Sequence, residues 1–327
     1  MEQALILTRP IEQPVINNVQ QSSSDAFINA NTEVIPFKEL KDRHIIPVFV
    51  KDNEPLISQV DFIESVFESV SDLYHGETIL RPSIRLSNPI KGRIPEARHK
   101  PASELREWEK TIYYERMMFA IEIPSITETI NGNKLALTVG GVKAYNQDNL
   151  YSKSGADEHF KFFAGFQNKV CTNLCVSSDG YVGDMKVRTL NELQFNIQHA
   201  LESYNPVEHS RNMDRLSQYF LTEQQFANVV GRSRIYNYLS QSERLGIPEL
   251  LYGDQQLNSV CKDFCKDESF SKDEEGNINL WNFYNLFTEA NKSTYIDQFL
   301  DRSVNAFQFT DQLRKSLDEG SNNWFLS

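Results

Sequence analysis

The chain has 327 residues, 40% hydrophobic and 24% charged, with 21 Phe, 13 Tyr and a formal net charge of −12. That balance belongs to a folded globular protein of one large or two modest domains and excludes a wholly disordered chain. The acidic excess opposes binding of bulk nucleic acid or anionic membrane over the whole surface, and no apolar run is long enough to cross a bilayer.

Residues 4–7 are apolar but lack a basic start and a cleavage-type ending, so no secretory signal is expected. Four cysteines do not make a disulfide framework in a chain this long, which points to a reduced, cytoplasmic setting. Residues 13–31 are rich in Gln, Asn and Ser and read as the end of a mobile N-terminal tail, residues 1–31, with order beginning near Thr32. A short strand is expected over 45–50, with Pro47 pushing it to an edge. The first strong helix runs over 59–74. Ser58 and Asp61 form its capping box, and Ile63, Val66, Phe67, Val70, Leu73 and Tyr74 its apolar stripe, with Gly76 placed to end it.

A β-rich block spans 111–187. Residues 112–123 are apolar on both alternating faces, which predicts a strand covered on both sides, closed by Pro124. Asn131-Gly132 is a strong hairpin signal before Leu135, Leu137 and Val139. Gly140-Gly141 marks a bulge or a close backbone approach. Strands are expected over 160–166, 170–176 and, after the Asp179-Gly180 turn, 181–187. From Thr189 the period becomes helical. Thr189 with Glu192 form a capping box, Thr222 and Asp254 are further caps, and helices are expected over 280–289 and 303–317. Trp324, Phe325 and Leu326 are too apolar for a free end and should dock on the core. The expected fold class is α+β. An antiparallel sheet with one helix (32–188) is packed with a helical half (189–327) that shares its core.

No motif supplies a nucleophile, a base or a metal site, so the reading leans away from an enzyme, with no catalytic residue, metal or cofactor assigned. Cys171 and Cys175, like Cys261 and Cys265, are four apart. They have no nearby His and lack the tighter spacing of zinc knuckles, so buried thiols compete with a zinc site. Residues 271–282 imitate a calcium loop around Gly276, but Asn282 stands where the closing bidentate glutamate is needed. The aromatic run Phe160, Phe162, Phe163 and Phe166 reads as core rather than as a base-stacking platform.

Charge placement is more informative. Arg81, Arg85, Lys91, Arg93, Arg98 and Lys100 lie together with Glu96 as the one acid among them. Pro82, Pro89, Gly92 and Pro95 make the segment irregular. Guanidinium forks suit phosphate, so these six residues are candidate nucleic-acid contacts, with single strands the favoured ligand. The competing reading makes them counter-charge for acidic helices, and the −12 body then serves a basic protein partner as an acidic decoy would. Oligomeric state is not legible.

Several segments carry a family likeness: residues 90–97, 110–116, 137–142 with 144–146, Cys171-x-Asn173-Leu174-Cys175, and Asn291-Lys292-Ser293-x-Tyr295-Ile296-Asp297. From about Thr32 to the C-terminus they resemble an uncharacterised Bacteroidetes family, domain of unknown function 3871. Residues 170–173 and 281–289 are similar to a broader phage- and plasmid-associated family. The resemblance implies residence on mobile elements such as conjugative transposons. It brings no catalytic residue with it.

Overall fold

The computed structural model describes residues 26–44, 56–88, 90–144 and 157–327. The strand expected over 45–50 and residues 1–25 of the N-terminal tail lie outside the described residues. The first half of the chain forms β1 (Thr32–Val34), α1 (Phe37–Arg43), α2 (Gln59–Leu73), β2 (Ser83–Ser87), β3 (Ile90–Arg93), β4 (Lys110–Tyr114), β5 (Arg116–Ile130), β6 (Asn133–Ala144), β7 (Glu158–Asn168), β8 (Leu174–Cys175) and β9 (Tyr181–Val187). Helices then dominate: α3 (Leu190–Ser203), α4 (Pro206–Leu216), α5 (Glu223–Tyr236), α6 (Asp254–Lys266), α7 (Leu280–Asn291) and α8 (Ile296–Glu319), with a two-stranded ribbon of β10 (Phe220–Leu221) and β11 (Ile278–Asn279) between them. The α+β class expected from the sequence is the observed one.

The main sheet is antiparallel, in the order β1-β2-β5-β6-β7, and β8 and β9 both pair with β7. Asn131 and Gly132 close the β5–β6 hairpin with φ of 46° and 79°, the pair of left-handed residues that a two-residue turn needs to match strand twist. Pro124 does not end β5. The strand runs on to Ile130 through a register shift between Ile123 and Thr127, a bulge where the missing proline N–H breaks no ladder bond. The strand expected over 112–123 is two strands, because β4 leaves to pair with β3 and Glu115 marks the break. A full strand over 170–176 is also absent. Thr172 is left-handed (φ 58°), so the chain turns there and only Leu174 and Cys175 pair with β7.

Alternation in β5, β6 and β7 divides the core in two. Met117, Phe119, Ile121, Leu137, Val139, Phe160 and Phe162 face α2, α3 and the helical half. Met118, Ala120, Val142, Ala144 and Phe163 face the other way, onto Phe27, Ile28 and the start of α8. Order therefore begins ahead of Thr32, since Phe27 and Ile28 are buried and the Asn29 and Ala30 amides donate to the Lys292 carbonyl. Helix α8 serves both layers. Phe299 and Leu300 cover the second face, whereas Phe307, Phe309 and Leu313 enter the first core. The C-terminus docks as its composition predicted, with Phe325 fully buried and edge-on to Phe309 at 4.8 Å.

Helix α2 starts at the Ser58–Asp61 capping box and drives Phe62 into the sheet, 5.2 Å from Phe119 and 4.8 Å from Phe160. Gly141 makes room for it. Beneath the entry to α2, the buried Lys143 ammonium donates to Glu158 at 2.8 Å and lies 4.1 Å from the Phe160 ring centre. The other Glu158 oxygen accepts the Ile57 amide at 2.7 Å. Thr189 caps α3 as expected, its hydroxyl accepting the Glu192 amide at 3.2 Å, but the Glu192 carboxylate takes the Arg188 amide and the box stays half-formed. Gly253 rather than Asp254 stands at the N-cap of α6.

His209 on α4 is buried among Phe166, Tyr204 and Phe307 rings, and its Nδ1 pairs with the Tyr204 hydroxyl at 2.7 Å. Burial pushes its pKa down to about 4, against a small opposing pull from the Asp179 carboxylate. The folded state therefore prefers the neutral ring, and its contribution is complete above pH ~6.5 and lost as pH falls toward 4.

Two outcomes follow from this packing. A Cβ at Gly141 would lie 2.4 Å from Phe62 Cζ and 2.6 Å from the Lys161 carbonyl, so Gly141→Ala should lower urea-unfolding stability by about 1–3 kcal/mol. Between pH 6.5 and 4, His209 should contribute a loss of about 1.4 kcal/mol per pH unit. His209→Phe should flatten that part of the stability–pH curve, although it costs stability at pH 7 by stranding the Tyr204 hydroxyl.

Candidate nucleic-acid interface

The six basic residues singled out in the sequence do not form one surface. Arg81 and Arg85 belong to the approach to β2 and to β2 itself, inside the main sheet. The other four sit on an arm, residues 90–114, that leaves the sheet after β2 and returns at β5. Its base is the β3–β4 pair, with Arg93 opposite Lys110 and Gly92 opposite Thr111. Between these strands the chain makes three short 3-10 turns, starting at Pro95, Ala102 and Glu107. No apolar periodicity exists here, so the backbone is held by local bonds: the Ile94 amide to the Glu109 carbonyl at 3.0 Å, and the Arg106 amide to the Glu109 carboxylate at 2.8 Å.

The arm sorts its charges. Lys100 pairs with the Glu109 carboxylate, and that ammonium, followed by the Arg106 amide, holds the Glu109 carboxyl below its ordinary range. Lys110 pairs with Glu107 at 2.5 Å. Arg93 and Arg98 are exposed and make no ion pair among the described residues. The Arg93 guanidinium donates to the Lys100 carbonyl, and Arg98 Nε donates to His99 Nε2 at 2.8 Å. Lys91 lies on β3, and its side chain is outside the described residues.

Two arm residues went unread in the sequence. Trp108 is 65% exposed, and Arg106 is exposed with no carboxylate ion pair among the described residues. Trp108 stands between Glu107 and Glu109, so its neighbours looked acidic, yet a lysine neutralises each of those carboxylates. A tryptophan flanked on both sides by charged residues was the available signal.

The other candidate motifs are absorbed by the fold. Among the described residues no group of three His, Cys, Asp or Glu could hold a metal ion. Asp273 spends a carboxylate oxygen on the Glu275 and Asn277 amides, closing the turn that resembled a calcium loop. Cys171 and Cys175 fall on a turn and a short strand rather than on one strand face. Burial pushes the Cys171 thiol up to about 11 and raises Cys175 further, so both stay protonated. Not all four cysteines are core, since Cys265 is exposed. The Phe160–Phe166 run is core, as read.

The motifs around Cys171 and Asn291 meet each other. Buried Lys292 donates to the Cys171 carbonyl and pairs with Glu289 at 2.7 Å, and Asn173 Nδ2 donates to the Asn285 carbonyl at 3.2 Å. Asn291 Nδ2 ties the Phe299 carbonyl and the Ser303 hydroxyl, each at 2.9 Å. These residues clasp the sheet to α7 and α8, which is a structural use of polar side chains rather than a reaction centre.

The matching of those segments over nearly the whole length decides the family. The chain belongs to the domain of unknown function 3871 family, whose model, described as a domain of unknown function with a B. theta gene description, matches residues 11–326. No curated protein and no solved structure matches it. No helix among the described residues is long and apolar enough to cross a membrane.

If Glu109 organises the arm, Glu109→Ala should speed amide hydrogen exchange at Ile94 and Arg106 while amides of β5–β7 keep their protection. Equal loss of protection in both regions would instead show that the arm and sheet open together.

Proposed function

We propose that this protein binds single-stranded nucleic acid through the arm of residues 90–114, with Trp108 as a stacking platform and Arg93, Arg98 and Arg106 as phosphate contacts. The observation that carries this reading is an exposed tryptophan on a segment whose arginines make no ion pair among the described residues while its nearest carboxylates are already paired with lysines. An indole face stacks on any base, and guanidinium forks take backbone phosphates without reading sequence. Lys91 adds charge at the arm's base and Lys100 among its turns, Lys100 in a supporting role because Glu109 holds it. The acidic remainder of the chain disfavours contact with a strand over most of the surface. Single strands are favoured over duplex because stacking on Trp108 needs an unpaired base. The role suits the mobile-element setting implied by the family resemblance, where transferred strands are handled.

Binding of a poly-thymidine single strand, followed by fluorescence anisotropy across a salt series, tests the proposal. Affinity should fall as salt rises. Trp108→Ala should cost about 1–3 kcal/mol of binding, and Arg93→Ala with Arg98→Ala should flatten the log–log salt slope by roughly 1.4. A wild-type protein that retains no strand at low salt, or variants with unchanged affinity and slope, would remove the arm from nucleic-acid binding and leave the acidic body as the interaction surface.

A further inference from the structure

The second face of the main sheet is covered only in part. Where α8 and Phe27 stop, a cleft of about 690 Å³ opens over β2 and β5. Its floor is small, with Ser83 and Ala120, and its titratable lining is Arg81, Arg85, Lys169 and Glu122. Glu122 is committed to the Lys169 ammonium. Arg81 is exposed and makes no ion pair among the described residues. Arg85 is 9% exposed, and its fork is held by Thr32. Nε and Nη2 donate to Thr32 Oγ1 at 3.0 and 2.8 Å, and Nη2 also donates to the Thr32 carbonyl at 3.0 Å. Nη1 has no hydrogen-bond partner among the described residues. Thr32 brings no charge, so the guanidinium is oriented but not neutralised by its hydrogen bonds. Burial lowers its pKa, with Glu33 opposing that effect. A fixed, largely buried cation in a roomy cleft of mixed polar and apolar lining, with the exposed Arg81 on the wall, is the arrangement that anions with several acceptor oxygens satisfy.

We propose that this cleft is a phosphomonoester site, in which Arg85 Nη1 and the Arg81 guanidinium take the phosphoryl oxygens and Lys169 adds charge at the rim. A phosphomonoester fits better than a carboxylate. Three terminal oxygens and close to two negative charges at pH 7 match two guanidinium groups and an ammonium that is already shared with Glu122. The site is separate from the arm and does not rest on its reading. It also gives Arg81 and Arg85 a use that their distance from the arm's turns denies them there. The phosphate can arrive on a free small molecule or on the 5′ end of a strand, and the chemistry of capture is the same.

Isothermal titration of the full chain with inorganic phosphate, thymidine 5′-monophosphate and thymidine tests the cleft. Phosphate and the monophosphate should bind and thymidine should not. Arg81→Ala should weaken the monophosphate about tenfold, and Ser83→Glu, which puts a carboxylate on the floor, should abolish binding. Both positions are exposed, so neither variant threatens the fold as Arg85→Gln does. Trp108→Ala should leave the titration unchanged, which separates this site from the arm. In that same background, tighter binding of a 5′-phosphorylated than of a 5′-hydroxyl strand assigns the phosphate to strand ends. Equal binding of the two strands assigns it to free small molecules. A wild-type chain that binds neither phosphate probe, thymidine binding as well as its monophosphate, or Arg81→Ala and Ser83→Glu variants that titrate like wild type would overturn the proposal.

Discussion

The two-sided burial of β5, β6 and β7 is the constraint from which the rest of the structure follows. Because successive side chains point to opposite faces, a strand that is apolar at every position must find cover on both sides. Helix α2 and the helical half supply one cover, and Phe27, Ile28 and the start of α8 supply the other. Gly141 lets the Phe62 ring approach the strand backbone closely, which sets how near α2 can sit. The long α8 belongs to both layers, so loss of either face would loosen the helix that secures the other.

Polar groups inside such a core have to be paired, and here they act as fasteners. Lys143 with Glu158 fixes the entry to α2, and Lys292, Asn173 and Asn291 fix the sheet to α7 and α8. Removing one partner of a buried ion pair such as Lys143–Glu158 strands a charge and costs about 3–5 kcal/mol. The segments that carry the family likeness map partly onto these fasteners.

The two proposed binding surfaces lie where the two-sided rule is relaxed. The arm rejoins the sheet at the β4–β5 break, beside the buried Glu115. Burial raises that carboxyl while the His44 ring, at 3.2 Å, draws it back down. Having no core of its own, the arm leaves Trp108 and its arginines in solvent. The phosphomonoester cleft opens where the second face lacks helical cover, and Arg85 stands there on the same alternation that buries Ala120 and Met118. Each proposed surface draws on arginines that make no ion pair among the described residues, set in a chain of net charge −12.

The amino-acid order alone determined the α+β class, the Asn131-Gly132 turn, the capping box of α2, the close approach at Gly140-Gly141 and the docking of Phe325, because each depends on residues adjacent in the chain or repeated at a fixed period. It also marked the basic segment, since charge runs are read directly. Only the tertiary structure decided how the charges of that segment are paired. Whether Arg85 faces Thr32, whether Lys100 meets Glu109, and whether a lysine neutralises the acids beside Trp108 are pairings between elements, and local sequence carries no record of such distances. The bulge at Pro124, the break at Glu115 and the turn at Thr172 were likewise settled by which neighbouring strand offered partners, because a backbone with hydrogen bonds to satisfy follows the available ladder rather than its own pattern.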